Sequence, residues 1–112
     1  VQGSGNNMKH GQRNAGQFGH DLTTYIYGND NNVFTRQNGS GAKDMTIQLS
    51  GNNHSVSMTQ DGQGAHNASV SLSAGAGSYS LSLTQHSDTT QNYSLTGTCQ
   101  NASGCGVTVT QN

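Results

Sequence analysis

The sequence predicts an all-β chain, a β-solenoid of stacked strand–turn–strand repeats about 23–26 residues long and of the cross-β, fibre-forming kind. Three observations carry this. Gly, Ser, Asn, Thr and Gln make up 66 of the 112 residues, while hydrophobic residues reach only 29% and charged ones 8%. So little apolar side chain leaves no core of the ordinary globular kind, and a formal net charge of -1 gives no self-repulsion to hold the chain unfolded. Four segments also end the same way, by strict alternation into Gln: Val33-Phe34-Thr35-Arg36-Gln37, Val56-Ser57-Met58-Thr59-Gln60, Leu81-Ser82-Leu83-Thr84-Gln85 and Val107-Thr108-Val109-Thr110-Gln111. Period-two alternation marks a strand with one buried face. The Gln residues recur 23, 25 and 26 positions apart, which marks a repeat.

Taken in order, residues 1–16 carry no convincing alternation and are expected to be a leader or a degenerate first repeat. The solenoid is expected over residues 17–112. Gln17-Phe18-Gly19 opens it, and Leu22 to Tyr27 reads as a strand ended by the turn-formers Gly28-Asn29-Asp30-Asn31-Asn32. After each of the first three Gln-ended strands come turn residues, with Gly39 and Gly62, like Gly19, as the expected turn glycines. Seven positions beyond each Gln, Asp44, Asn67 or Asn92 opens a second alternating run. Those runs are Met45 to Leu49, Ala68 to Leu72 and Tyr93 to Thr96. One such unit cannot bury its own apolar row, whereas stacked units can.

Stacking puts like residues over like at about 4.8 Å. Gln37, Gln60, Gln85 and Gln111 would then form an interior ladder of amides, with Asn67 and Asn92 stacking in the same way. An amide both donates and accepts, so it bonds its copies without repulsion, and the chain contains no Glu. The expected apolar core is Val33, Ile47, Leu49, Val56, Met58, Val70, Leu72, Leu81, Leu83, Leu95, Val107 and Val109. The outward rows are mostly hydroxyls, among them Ser57, Thr59, Ser82, Thr84, Thr108 and Thr110, which suit a solvated sheet face. Val107 to Asn112 keeps the repeat pattern with no cap after it, which reads as a bare last rung. The start at Val1 reads as a processed, exported product or a fragment.

Several functions fall away. Lys9, Arg13, Arg36 and Lys43 are too few for a nucleic-acid footprint, and no apolar run is long enough for membrane insertion. His10, His20, His54, His66 and His86 show no ligand spacing and are expected to be solvated, four of them in turns or the leader. Asp21, Asp30, Asp44, Asp61 and Asp88 fall at strand entries and turns, with nothing to set one carboxyl apart as an acid catalyst. No cofactor, metal or catalysis is expected. Cys99 and Cys105 flank Gln100-Asn101-Ala102-Ser103-Gly104, a spacing that suits a disulfide clipping a turn, with free thiols the alternative.

Gln17-Phe18-Gly19, Gln37-Asn38-Gly39 and Gln60-Asp61-Gly62, with Asn67-Ala68 and Asn92-Tyr93 as second corners, resemble the tandem Gln-x-Gly-x-x-Asn-x-Ala-x-x-x-Gln repeats of curlin, the subunit family of bacterial curli. The resemblance implies a secreted, self-assembling amyloid fibre of the biofilm matrix at the cell surface, with nucleator and secretion accessory proteins as partners. Two other readings stay open: an ice-binding solenoid using its Ser and Thr ladders, and a β-helical segment of an adhesin or phage fibre.

Overall fold

The computed structural model describes residues 1–14, 16 and 18–112; Gln17, the first residue of the first Gln-x-Gly corner, lies outside the described residues. Among the described residues nine strands follow one another: β1 (Asn7–Asn14), β2 (His20–Tyr27), β3 (Asn32–Gly39), β4 (Lys43–Ser50), β5 (Ser55–Asp61), β6 (His66–Ala74), β7 (Tyr79–His86), β8 (Gln91–Cys99) and β9 (Cys105–Gln111). Odd strands form one parallel sheet in the order β1-β3-β5-β7-β9, and even strands a second in the order β2-β4-β6-β8. The chain therefore coils, one strand per half turn and alternately in the two sheets, into a flattened β-solenoid of about four turns, 42 × 25 × 14 Å. Among the described residues no helix is long and apolar enough to cross a membrane.

The register follows the repeat. Val33 pairs with Val56, Val56 with Leu81, and Leu81 with Val107; in the other sheet Ile47 pairs with Val70 and Val70 with Leu95. Alternate residues point inward because each sheet packs one face on the other, and a one-residue slip would turn every apolar row to water. Val33, Ile47, Leu49, Val56, Met58, Val70, Leu72, Leu81 and Leu83 are buried, joined by Ile26, Met45, Ala68, Tyr79 and Cys99. Leu95, Val107 and Val109 also point inward but are only half-buried, since β8 and β9 are the outermost strands of their sheets.

Residues 7–14 are not an unstructured leader. β1 pairs with β3 over its whole length, Asn7 with Asn32 through Asn14 with Gly39, and Gln2 bridges to Tyr27. This segment is the degenerate first repeat. Its inward row is Met8, His10 and Gln12, and the His10 ring bonds the Thr35 hydroxyl at 2.6 Å instead of filling an apolar slot.

The corners explain two of the three expected turn glycines. Gly39 (φ 115°) and Gly62 (φ 95°) occupy a backbone region that disfavours L side chains. They also stack so closely that a Cβ on Gly39 would overlap the Gly62 carbonyl oxygen. Gly19 does neither: its φ is not positive, and a Cβ there would meet nothing within 4 Å. At the last corner Cys99 and Cys105 are joined by a disulfide that closes the turn between β8 and β9.

Candidate functional site

Gln12, Gln37, Gln60, Gln85 and Gln111 lie one above another in the odd-strand sheet. Each side-chain amide donates to the oxygen of the next: Gln12 Nε2 to Gln37 Oε1 at 2.7 Å, Gln37 to Gln60 at 3.0 Å, Gln60 to Gln85 at 2.9 Å and Gln85 to Gln111 at 2.8 Å. The same nitrogens reach across to the even-strand sheet, donating to the backbone oxygens of Asp21 and Lys43 (Gln37, both 2.9 Å), Asp44 (Gln60, 3.1 Å), Asn67 (Gln85, 3.3 Å) and Asn92 (Gln111, 3.2 Å). An amide has two N–H groups and one oxygen, so one hydrogen ties rung to rung and the other ties sheet to sheet, shared at Gln37 between the Asp21 and Lys43 oxygens. The ladder also has a direction, since every inter-rung donor points toward the higher-numbered strand.

Asn67 and Asn92 stack separately from this ladder. They face outward at the entry of the even strands, in one column with Asp21 and Asp44, and Asn67 Nδ2 donates to Asn92 Oδ1 at 3.0 Å.

A third column turns the corner before the odd strands. Asn31 is buried; its Nδ2 donates to Asn6 Oδ1 at 3.1 Å and to the Gly51 oxygen at 2.9 Å, while its Oδ1 accepts from the His54 backbone at 2.8 Å. His54 takes the same role in the next coil. Its Nδ1 accepts from the Tyr79 backbone at 3.0 Å, which leaves Nε2 as the donor to the Ser50 oxygen at 3.1 Å. His54 and His66 are thus 1% and 0% exposed, against the expectation of solvated turn histidines. Both fall on the inward phase of their repeats, and a neutral imidazole can stand in for an amide there.

The fourth column, His20, Lys43, His66 and Gln91, opens the even strands on their inward side. Lys43 is fully buried, and its Nζ donates to the backbone oxygens of Gly41 (3.2 Å), Gly62 (2.9 Å) and Gly64 (3.0 Å). Three carbonyls match the three hydrogens of an ammonium. Burial lowers its pKa below the usual lysine range, opposed by the charge of Asp61. His66 donates through Nε2 to the Asp61 backbone oxygen at 2.8 Å, and burial lowers its pKa in turn, with Lys43 adding to the effect. Burial would raise the Asp61 carboxyl. Hydrogen bonds from the Gly62 backbone and Asn38, with His86 and Arg36 nearby, outweigh that and hold it below the usual range.

All three shifts are downward, so in each group's window the unfolded chain binds more protons and stability rises with pH. For His66 the contribution is full above the ordinary histidine pKa of about 6.5 and is lost as pH falls toward its depressed folded value. For Asp61 the loss comes below about pH 3.9. The urea midpoint is therefore expected to be higher at pH 8 than at pH 5. His66→Gln, which copies Gln91 in the same column, is expected to flatten that slope; an unchanged slope would remove His66 as its source.

No group of three or more metal-ligating side chains occurs among the described residues. Fold and columns together define the class: a two-sheet parallel β-solenoid whose interior carries hydrogen-bonded polar ladders beside an apolar seam. A scan against protein-family models and searches of curated proteins and of solved structures each found no match.

Proposed function

We propose that this chain is a structural subunit of an extracellular, curli-like fibre in a bacterial biofilm matrix, assembling end to end by β-strand stacking and catalysing no reaction. The observation that carries this is the direction of the glutamine ladder. Every rung offers an amide hydrogen to the next and an oxygen to the one before, so the two outermost rungs are complementary rather than alike. At one end Gln111 Nε2 has a hydrogen beyond the one given to Asn92; at the other, Gln12 Oε1 has no donor among the described residues. A second copy set on β9 in the same orientation brings Gln12 over Gln111, Met8 over Val107 and His10 over Val109. Its main chain continues the parallel ladder of the odd-strand sheet, and strand addition at a sheet edge supplies affinity while the side-chain rows supply register. Head-to-tail contacts of this kind do not close and so give filaments. The Gln-x-Gly corners support the same reading by their likeness to curlin, with a nucleator and secretion accessory proteins as further partners.

Purified chain at micromolar concentration is expected to assemble after a lag that preformed seeds abolish. A monomer that persists for days with seeds present would overturn the proposal.

One observation favours a second reading. The register stacks Thr59, Thr84 and Thr110 in one outward column and Ser57, Ser82 and Thr108 in the next, a regular hydroxyl array of the kind an ice-binding face would use. Thermal hysteresis from a monomeric chain would favour it over the fibre.

A further inference from the structure

The first two coils differ from the rest on their outer faces. In the odd-strand sheet Lys9, Arg13 and Arg36 point outward on β1 and β3 with Phe34 beside Lys9, and Gly11 leaves a gap beneath Arg36 that opens a cleft of about 220 Å³. These are all the Lys and Arg side chains apart from buried Lys43. The opposite face of the same coils, on β2 and β4, carries Asp21 and Asp44 in register, with Tyr25 and Tyr27 further along β2 and no outward Lys or Arg. Two carboxylates side by side on adjacent strands repel each other. Among the described residues the sole ion pair is His86 with Asp61, so neither patch is ion-paired within the molecule, although the Asp61 carboxylate feels the charge of Arg36. Asp61 is the one carboxylate near the basic face, and it is held by Asn38 and the Gly62 backbone.

The two patches also lie at matching positions across the strands. Gln37, one residue from Arg36, bonds the backbone oxygens of Asp21 and Lys43 through the core, so Arg13 and Arg36 sit at the same end of the coil as Asp21 and Asp44. Moving a copy along the thin axis with no rotation therefore lays Arg13 and Arg36 on Asp21 and Asp44, and Lys9 and Phe34 toward Tyr25 and Tyr27. From this geometry we infer a lateral contact between copies of this chain, the basic odd-strand face of one against the acidic even-strand face of the next. It is separate from end-to-end stacking and needs no fibre. The two-coil patch is far smaller than the roughly 1,000 Å² of a stable interface, so a single contact is weak. Repeated once per subunit along a stack, it becomes multivalent and bundles fibres side by side.

The test is the light-scattering second virial coefficient of the soluble chain in about 0.01 M salt, where the screening length is about 30 Å. Asp21→Asn with Asp44→Asn copies the Asn67 and Asn92 of the same column and moves the formal net charge from -1 to +1. Ala102→Lys with Ser103→Lys, at the exposed corner between β8 and β9, reaches the same net charge and alters neither sheet face. The wild type and the lysine variant are expected to attract, with a negative coefficient, and the asparagine variant to turn positive. Where fibres form, the asparagine variant is expected to give single fibres and the other two bundles. Attraction that survives in the asparagine variant, or is lost equally in the lysine variant, would overturn the contact. So would an anionic polysaccharide that binds the basic face while self-attraction ignores both substitutions. Axial assembly is read separately, from seeded kinetics, so the two proposals fail independently.

Discussion

Gln60→Glu is expected to lower folding stability by about 4 kcal/mol at neutral pH, the scale on which an uncompensated buried charge unfolds small domains. Gln60 is 0% exposed, and its two N–H groups are both used, on Gln85 Oε1 and on the Asp44 oxygen. A carboxylate of the same shape donates nothing. It would set its lone pairs against those two oxygens and leave Gln85 Oε1 without a donor. Only the bond accepted from Gln37 survives. The defect should shrink in acid, where the carboxyl takes up a proton and regains one donor. Gln111→Glu is the matched control, because Gln111 only accepts from Gln85 within the ladder and is half-buried on the outermost strand. It is expected to cost about 1 kcal/mol or less. Urea unfolding followed by far-ultraviolet circular dichroism compares the two, and equal costs would mean that the ladder is not what holds Gln60.

Gly39→Ala is the second large effect, about 3 kcal/mol, combining a left-handed backbone with a steric overlap. At φ 115° an L side chain is strained, and the new methyl would drive into the Gly62 carbonyl of the neighbouring coil. Relief by movement is costly because Gly62 is stacked on Ser87 in the same fashion. Gly19→Ala begins from the same Gln-x-Gly pattern and is expected to be nearly neutral, since its Cβ points into open space. A shared motif therefore hides two different demands. A similar loss at both positions would show that the corners of the second and third coils are not stacked as described.

The repeat was legible because a period-two pattern and a period near 25 residues are both written in side-chain type. Val33, Val56, Leu81 and Val107 announce the apolar row, and Gln37, Gln60, Gln85 and Gln111 announce the polar one. β1 was hard to read because its inward positions hold Met8, His10 and Gln12, so the apolar alternation that identifies a strand is nearly gone. The signal that could have found it is polar: Gln12 stands 25 residues before Gln37. Lys43 and His66 escaped for a related reason. A cation and an imidazole read as surface residues, yet counting back in twos from Ile47 and Val70 puts both on the inward phase. What no count could supply is the set of backbone oxygens from Gly41, Gly62 and Gly64 that makes an interior site for Lys43, because those arise only when two corners stack.

The polar columns also explain how 29% hydrophobic residues suffice. Buried amides, imidazoles and an ammonium occupy interior positions at both corners, and they give their hydrogens to oxygens of their own corner or of a neighbouring coil. The apolar residues are left to fill only the seam between. Buried polar groups cost little when bonded and much when not, so such a core tolerates one register alone. That selectivity is what the proposed end-to-end stacking would require, since an incoming copy would be held only when its rows match.

Coils stacked in parallel register, with one glutamine above another, underlie both the fold and the proposed assembly. Nuclear magnetic resonance of the isotopically labelled chain tests that stacking most directly, through contacts between glutamine side-chain amides. The expected result is a chain of contacts linking Gln37 to Gln60, Gln60 to Gln85 and Gln85 to Gln111. Contacts that instead pair β3 antiparallel with β4, or β5 with β6, as hairpins, with Gln60 remote from Gln85, would contradict it.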